Sequence, residues 1–279
     1  MKRRTFLKVA TLALTALLVL SFAACSSAPA GKVINVYGST SVEPLANSLG
    51  EAYKTKTGVS VKVQGVGSSQ GIKAIMDGTT DIGTSSRELT TEEAASGIVK
   101  HVIAIDGIVL ITNPANKVAD LTMDQAAKIF SGEIKNWKDV GGADKAIVVV
   151  NREESSGTRT AVQELLKLEV KNADGTKTSL LTKEGLTSGS QGEVKTTVAG
   201  NPDAIGYVSL ATVDTTVKGL KIGGVEPTIN DIKANTYPLK RDFLMLTKVE
   251  NADVKAFIDY ILSAEGQALV VNDKYIAVS

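Results

Sequence analysis

The feature that most constrains the fold is a regular alternation of short apolar runs with amphipathic segments. "VINVYG" (33–38), "VSVKVQGVG" (59–67) and "TDIGTSS" (80–86) have the apolar, β-branched composition of strands. "SVEPLANSLGEAYKTKTG" (41–58) and "SSQGIKAIMDG" (68–78) have the spacing of helices. Strands that alternate with helices predict an α/β architecture with mainly parallel sheets.

The same alternation continues through the second half of the chain. Helices are predicted for "TMDQAAKIFSG" (122–132), "SGTRTAVQELLK" (156–167) and "SQGEVKTTVAG" (190–200), and strands for "AIVVVN" (146–151) and "AIGYVSL" (204–210). The chain has 279 residues, of which 43% are hydrophobic. This is enough for one large domain or two moderate ones with buried cores.

Three further segments complete the predicted topology. "HVIAIDGIVLITNP" (101–114) predicts two closely spaced strands, "KNADGTKTS" (171–179) a polar loop, and "FIDYILSAEGQALVV" (257–271) a final helix. We expect the chain to cross between two α/β lobes near residues 110–115 and 230–240. One lobe would comprise residues 33–112 and 236–279 and the other residues 113–235, which leaves a ligand cleft between them.

The first 24 residues have the composition of an export signal. "MKRR" and Lys8 are basic, and the following apolar run (9–24) contains no acidic residue. "SFAAC" resembles a bacterial lipobox, which implies that Cys25 carries a lipid and that residues 25–32 form a tether. Cleavage near "AAC" without lipid, or an uncleaved anchor, is the alternative. "RRTFLK" leaves the general secretory and the twin-arginine routes both open.

The composition of the remaining chain excludes several classes of function. Without residues 1–24, 27 basic residues stand beside 30 acidic ones, whereas a nucleic-acid-binding protein would more often be basic. Cys25 is the only cysteine and His101 the only histidine. The chain therefore has too few cysteines and histidines for an internal disulfide, a thiol nucleophile, a zinc site or histidine-based catalysis. We expect no cofactor and no metal.

Polar clusters at three helix starts point to an anion. "GSTS" (38–41), "GVGSSQG" (65–71) and "ESSGT" (154–158) each follow a predicted strand and open a predicted helix. The first turn of a helix carries unpaired N–H groups at the positive end of its dipole, so such a cluster can bind an anion. A single cluster of this kind is more often only the N-cap of a helix. If all three converge on one cleft, they would surround a tetrahedral oxyanion.

The segment "NREESSGTRT" (151–160) adds charges that a helix cap does not need. Arg152 can donate through a planar fork to two oxygens of one anion. Glu154 can accept a hydrogen bond from an anion that still carries a proton, which favours hydrogen phosphate over sulfate. Glu153 is expected to point to solvent.

A hydrolase is the main enzymatic alternative. "GSSQG" (67–71) fits the nucleophile elbow pattern with Ser69 at its centre, but His101 heads an apolar strand without other loop chemistry around it. The same stretch lacks the ending of a nucleotide-binding P-loop. We therefore expect no catalysis.

Several motifs, in order along the chain, resemble one family. "GSTSVEP", "QGVGSSQGI", "DIGTSSREL", "IFSGEIKNWKDVGG", "R-x-E-S-S-G-T" and "NPDAIGYVSL" are similar to segments of the substrate-binding lipoproteins of bacterial ABC phosphate transporters. The resemblance implies a two-lobed periplasmic-binding-protein-like fold of type II that closes over one phosphate. It further implies delivery to ABC permease subunits, attachment to the outer face of the cell membrane through Cys25, and action as a monomer without nucleic acid.

The resemblance also implies the contacts to phosphate. Two departures affect selectivity, because Ser86 stands where Gram-negative members have an aspartate and Glu154 where an aspartate is common. Glu154 then becomes the main acceptor of the phosphate proton, and Arg87 either pairs with it or lies in solvent. The implied phosphate-binding residues are Thr40, Ser41, Ser68, Ser86, Arg152, Glu154, Ser156, Gly157 and Thr158.

Other roles remain open for the cleft and for the whole protein. Ser190 and Gln191 form a fourth polar helix start that could line the cleft or cap a helix, and Trp137 is either a rim residue or a packing anchor. The alternative functions are a binding protein for sulfate or molybdate, a phosphate-sensing receptor, and an adhesin.

Overall fold

The predicted alternation of strands and helices is present in the computed structural model of the protein. The structure describes residues 32–172, 177–249 and 251–278, and from Val33 onward the chain forms one compact unit. The predicted signal peptide (1–24), Cys25 and the tether as far as residue 31 lie outside the described residues. Among the described helices, none is both long and apolar enough to cross a bilayer.

The predicted elements appear in the predicted order with small shifts at their ends, and the structure adds elements that were not predicted, among them the strand at 240–247 in the middle of the sheet and the helices at 91–94 and 229–233. The strands are β1 (Val33–Gly38), β2 (Ser60–Gly65), β3 (Ile82–Ser85), β4 (Val99–Thr112), β5 (Asp120–Leu121), β6 (Val148–Arg152), β7 (Glu169–Lys171), β8 (Lys177–Ser179), β9 (Leu186–Ser188), β10 (Ala204–Ser209), β11 (Lys218–Gly219), β12 (Lys221–Ile222) and β13 (Lys240–Thr247). The helices are α1 (Glu43–Thr57), α2 (Ser68–Met76), α3 (Thr91–Ala94), α4 (Met123–Ser131), α5 (Gly157–Leu165), α6 (Gln191–Ala199), α7 (Ile229–Lys233), α8 (Ala252–Leu262) and α9 (Ala264–Asn272). Single 3₁₀ turns cover Trp137–Val140 and Leu210–Thr212.

One long sheet runs through the molecule in the order β2-β1-β3-β13-β4-β10-β6-β9. Pairing is parallel at its two ends, where β1 lies between β2 and β3, and β6 lies between β10 and β9. In the middle, β13 is antiparallel to β3 and to β4, and β4 is antiparallel to β10. The expectation of mainly parallel pairing is therefore wrong at the centre, because β4 and β13 cross the molecule in opposite directions.

The two strands predicted within residues 101–114 are one continuous strand, β4. Its first part, Val99–Gly107, pairs with β13, and its second part, Ile108–Thr112, pairs with β10. Gly107 does not interrupt the strand, and its Cα faces the side chain of Ile232, where a Cβ would lie 2.3 Å from Cδ1. A single strand thus belongs to both halves of the sheet.

The first core packs α1, α8 and α9 against β1, β3 and β13. Helix α1 begins with Glu43 and a proline in its first turn and ends at Gly58, whose φ of 78° provides the left-handed cap. Leu45, Leu49 and Tyr53 repeat at every fourth position and are buried. This helical spacing places one apolar stripe on the sheet.

The second core packs α4 and α5 against β4, β6 and β10. Helix α4 begins with a capping box between Thr122 and Gln125 and ends at Gly132, whose φ is 81°. Trp137 is 1% exposed, and its indole N–H donates to the Asp203 carbonyl at 2.9 Å. Trp137 is therefore a packing anchor and not a rim residue.

Two predicted segments differ from the structure. The expected final helix is divided into α8 and α9 at Ser263, which has an extended backbone (ψ 163°) and caps α9 by accepting from the Gly266 N–H. Gly266 approaches the Tyr260 carbonyl so closely that a Cβ would lie 2.3 Å from its oxygen. The segment predicted as a polar loop (171–179) contains β8 and the last residue of β7, and these two strands pair antiparallel around residues that lie outside the described part.

Candidate functional site

The three polar clusters predicted at helix starts meet at one point. They follow the carboxyl ends of β1, β2 and β6 and lead into α1, α2 and α5. The Oγ of Ser41 lies 2.8 Å from the Oγ1 of Thr158, and Thr40 Oγ1 accepts from Arg152 Nη2 at 3.1 Å. These bonds join residues 112 and 117 positions apart in the sequence. The first and third clusters are therefore in direct contact.

Ser68 brings the second cluster to the same place. It is fully buried, and its Oγ accepts from the Ser86 N–H at 3.0 Å and lies 3.2 Å from the Ser86 Oγ. A Cβ at Gly157 would lie 2.2 Å from the Ser68 Oγ and 2.8 Å from the Ser86 Oγ. Position 157 thus has no room for a side chain in this arrangement.

Ser39 is a member of the cluster that the sequence interpretation did not single out. Its Oγ donates to the Ser86 Oγ at 2.9 Å and accepts from the Ser41 N–H at 3.2 Å. The side chain is buried. Its place in "GSTS" was visible in the sequence, but nothing in that motif distinguishes a serine that braces the site from one that faces a ligand.

Arg152 is the central charge of the cluster and is 1% exposed. Its Nε and Nη2 donate to the Glu153 carboxylate at 2.9 and 2.8 Å, and Nη2 also donates to Thr40. The backbone is fixed as well, because the Arg152 N–H donates to the Tyr207 hydroxyl and the Arg152 carbonyl accepts from Arg159 Nη1. Burial raises the pKa of Tyr207 to about 12, so its hydroxyl stays neutral.

One nitrogen of the Arg152 guanidinium makes no hydrogen bond within the described part of the chain. Nη1 of Arg152 is buried and has no hydrogen-bond partner among the described residues. A buried cationic donor without a partner is costly, so native proteins normally pair it with an anion or another acceptor. The arrangement is therefore suited to a small anion that accepts from Nη1.

The two glutamates have exchanged their expected places. Glu154 is exposed and makes no side-chain hydrogen bond or ion pair with the described residues, whereas Glu153 forms the two-point ion pair with Arg152. The expectation that Glu153 points to solvent is wrong, and the structure does not bring Glu154 to the cluster. Glu153 directly follows the last residue of β6, and its N–H donates to the Ser188 carbonyl of β9, so its side chain folds back on the guanidinium.

Arg87 takes neither of its two expected roles. It is 8% exposed and forms a two-point ion pair with Glu93, with distances of 2.7 and 2.8 Å. Its Nη2 also lies 3.3 Å from the Oγ of Ser69, to which it donates. Arg87 therefore braces the start of α2 and does not pair with Glu154.

The remaining helix starts are mainly caps. Ser156 accepts from the Arg159 N–H at the start of α5, and Ser190 accepts from the Glu193 N–H at the start of α6. Gln191 is buried, and its Oε1 accepts from the Ser209 N–H. Of the donors at the start of α2, the Ser69 N–H is used by the carbonyl of Ser155 in the third cluster.

Comparison with known proteins gives the family. The model of the PBP superfamily domain matches residues 23–265. The phosphate-binding protein PstS of Borreliella burgdorferi is 33% identical over 261 residues, which cover 91% of this chain and 93% of that protein. The chain belongs to this family of phosphate-binding proteins. Its Bacillus subtilis member, also named phosphate-binding protein PstS, is 34% identical over 253 residues, covering 88% of this chain and 81% of that protein.

Solved structures agree with the family and with its fold. A substrate-binding protein assigned to phosphate ABC transport in Clostridium perfringens, solved with bound phosphate, is 42% identical. It has a TM-score of 0.84 and covers 89% of this chain and 100% of its own. The predicted two-lobed periplasmic-binding-protein fold is confirmed. The relatives named here are binding proteins and not enzymes.

Proposed function

We propose that the protein is an extracytoplasmic solute-binding protein that captures inorganic phosphate by hinge closure and delivers it to an ABC transporter. The observation that carries this proposal is the buried Nη1 of Arg152, which has no hydrogen-bond partner among the described residues, on a side chain whose Nη2 donates to Thr40 of the first cluster. The phosphate-binding names of the full-length relatives support it.

The proposed phosphate contacts divide by chemistry. Arg152 supplies charge, and the first-turn N–H groups of α5, at Gly157 and Thr158, supply donors at the positive end of a helix dipole. The hydroxyl groups can donate to the anion or accept from it, depending on how each O–H is turned. They belong to Thr40, Ser41, Ser68, Ser86, Ser156 and Thr158.

Selectivity for a protonated anion is proposed to rest on Glu153. Its carboxylate is bound to Arg152, and its Oε1 also accepts from the Ser155 Oγ at 3.4 Å, so an acceptor lies beside the donors of the cluster. A carboxylate has about four lone-pair sites, and it can accept from hydrogen phosphate while still paired with arginine. Sulfate has no proton to offer at neutral pH and would meet only repulsion there.

Closure is proposed to occur between two lobes, residues 33–112 with 236–279 and residues 113–235. The two separate cores support a division into two lobes. Ile108 and Leu110, like Tyr237 and Leu239, pack in the second core, so the cores divide near Gly107 and Lys240. The strands β4 and β13 would form the hinge. Closing removes water, so charge-assisted bonds to the anion gain strength in a poorly screened site.

The proposal also covers where the protein is located in the cell and which proteins it meets there. An export signal at residues 1–24, a lipid on Cys25 and a tether of residues 25–32 would hold the protein at the outer face of the cell membrane. There it would act as a monomer that meets the ABC permease subunits. Membrane fractionation of cells that express wild type or Cys25→Ala, with mass spectrometry of the N-terminal peptide, tests the anchor. The wild type should stay with the membrane and carry a lipid on Cys25, and the variant should carry no lipid.

The binding experiment is a calorimetric titration of residues 26–279 with phosphate, sulfate and molybdate between pH 5 and 8. We expect tight phosphate binding, weak sulfate and molybdate binding, and loss of phosphate binding in Arg152→Ala. Lys62→Ala, on an exposed side chain of β2 outside the cluster and the proposed hinge, is the control and should bind like wild type. Sulfate, a tetrahedral oxyanion without a proton at neutral pH, is the main competitor. Equal or stronger sulfate binding would refute the proposal.

A further inference from the structure

A buried ion pair lies where the two halves of the sheet join. Asp106 of β4 and Arg241 of β13 are directly paired across the strands, and Asp106 Oδ2 accepts from Arg241 Nε at 3.2 Å and from Nη2 at 3.0 Å. The side chains are 1% and 4% exposed. One residue beyond Gly107, β4 changes its partner from β13 to β10. The pair therefore lies at the proposed hinge.

Asp106 also binds the second half of the sheet. Its Oδ1 accepts from the Oγ of Ser209, the last residue of β10, at 2.6 Å. The Ser209 N–H in turn donates to Gln191 at the start of α6, at 3.2 Å. The carboxylate is thus held from both sides of the hinge.

Arg241 makes one more contact, which points toward the polar cluster. Its Nη1 donates to the Ser86 carbonyl at 3.4 Å. The distance is long for a hydrogen bond, but the donor is charged and the site is buried, which strengthens such a contact. The hydroxyl of the same Ser86 lies in the cluster, bonded to Ser39 and in contact with Ser68. One guanidinium therefore joins the hinge carboxylate to a residue of the candidate site.

Stability alone does not account for this pair. Burial raises the pKa of the Asp106 carboxyl, although Arg241 opposes the change, and burial lowers the pKa of Arg241. A buried ion pair can often be replaced by apolar residues of similar size without loss of stability. Apolar residues cannot replace the guanidinium of Arg241, which binds Asp106 through Nε and Nη2 and the Ser86 carbonyl through Nη1.

We infer that Arg241 is a positioning residue for the anion site: it fixes the peptide of Ser86 against the hinge, so that the Ser86 hydroxyl stays aimed at the anion when the lobes close. Asp106 holds Arg241 in the required orientation. The inference rests on the proposed function, with phosphate as the anion.

A double-mutant cycle tests whether Arg241 acts through Ser86. Arg241→Lys keeps the charge but lacks the fork, so one ammonium cannot serve both Asp106 and Ser86. We expect Arg241→Lys and Ser86→Ala each to weaken phosphate binding about tenfold, the effect of losing one buried hydrogen bond. The double variant should bind within about twofold of the weaker single variant, because coupled residues are not additive. Lys62→Ala, outside the cluster and the proposed hinge, is the control.

The outcomes separate this inference from the proposed function. If wild type binds no phosphate, the proposed function fails. If wild type binds phosphate but the losses of affinity in the two single variants multiply in the double variant, Arg241 has only a structural role and the inference is overturned. The same holds if Lys62→Ala loses as much affinity as Arg241→Lys. If Arg241→Lys does not fold, the uncharged double variant Asp106→Asn/Arg241→Gln takes its place and is combined with Ser86→Ala. The inference again requires that the two losses of phosphate affinity do not multiply.

Discussion

Arg152 and Glu153 are neighbours in the chain, and their side chains form a two-point ion pair at the end of β6, with Nε–Oε2 and Nη2–Oε1 distances of 2.9 and 2.8 Å. Glu153 is 25% exposed at its side chain, whereas Arg152 is 1% exposed. This pairing occupies the Nε–Nη2 edge of the guanidinium and leaves Nη1 without a partner among the described residues. The local charge is therefore balanced before any anion arrives.

The first prediction uses the adjacent glutamates as a matched pair. Glu153→Gln should narrow the preference for phosphate over sulfate by about tenfold or more, because an amide can donate to sulfate where a carboxylate repels it. Glu154→Gln, on the exposed neighbour, should leave the ratio unchanged. Calorimetric dissociation constants for both anions at pH 7.5 provide the comparison. A change confined to Glu154→Gln would return the selective role to that residue.

The second prediction concerns the close approach of Gly157 to Ser68. A methyl group at position 157 would overlap the Ser68 Oγ, so Gly157→Ala should oppose closure and weaken phosphate binding about five- to 150-fold, for an overpacking cost of about 1–3 kcal/mol. Without phosphate the melting temperature should change little, since alanine favours a helix. Gly192→Ala, in the first turn of α6 with only the Ser190 Oγ at 3.7 Å, is the control. Equal effects in both variants would contradict the steric explanation.

The third prediction concerns removal of the ligand. Phosphate at 100 times its dissociation constant should stabilise the folded protein by about 2.7 kcal/mol. For a chain of this size, that corresponds to a rise in melting temperature of about 5–10 °C. Dialysis against phosphate-free buffer should reverse the rise, and Arg152→Ala should show none of it. A similar rise in Arg152→Ala would mean that phosphate stabilises the fold at some other place.

The fourth prediction is a pH dependence of stability from the only histidine. His101 lies 3.0 Å from the Thr247 Oγ1, and burial lowers its pKa, although Asp259 opposes the change. The unfolded chain therefore takes up a proton near pH 6.5, before the folded protein does. The neutral ring of His101 therefore contributes its full stabilisation of the folded protein above about pH 6.5. This contribution decreases as the pH falls toward the pKa that His101 has in the folded protein.

Melting temperatures of wild type and His101→Gln between pH 8 and 5 check this sign. The wild type should lose more stability than the variant as the pH falls below about 6.5, and the two curves should run parallel above it. Since the ring of His101 is hydrogen-bonded to Thr247 and not to a residue of the cluster, phosphate affinity at pH 7.5 should be equal in both. A constant difference between the two curves would show that the ring is not titrating.

Local signals in the sequence were sufficient for the positions of the three clusters. A strand that ends in serine, threonine and glycine before a helix has the same backbone donors wherever it occurs, and the parallel arrangement of β1 and β2 brings two such ends side by side. The convergence of the third cluster with them depends on β4 and β13, and these cross the molecule by pairing that no local pattern reveals.

The parts that sequence did not predict depend on orientation or on distant partners. Glu153 and Glu154 have the same chemistry, and only the turn after β6 decides which one faces Arg152. Asp106 and Arg241 are 135 positions apart, and the sequence around each of them indicates only an ordinary charged residue. The expectation for Arg87 failed for the same reason, because Glu93, its partner, caps a short helix that was not predicted.

The shared strand β4 has a consequence for the order in which the chain can fold as it leaves the ribosome or the membrane. Residues 108–239 contain nearly the whole of the second core and can be buried as soon as they are available. The first core must wait, because β13 inserts between β3 and β4 and brings α8 and α9 with it. Until residues 240–278 are available, β3 and β4 each have an unpaired edge. The lobe that contains the first core should therefore fold last, and it is the lobe that most needs protection from aggregation.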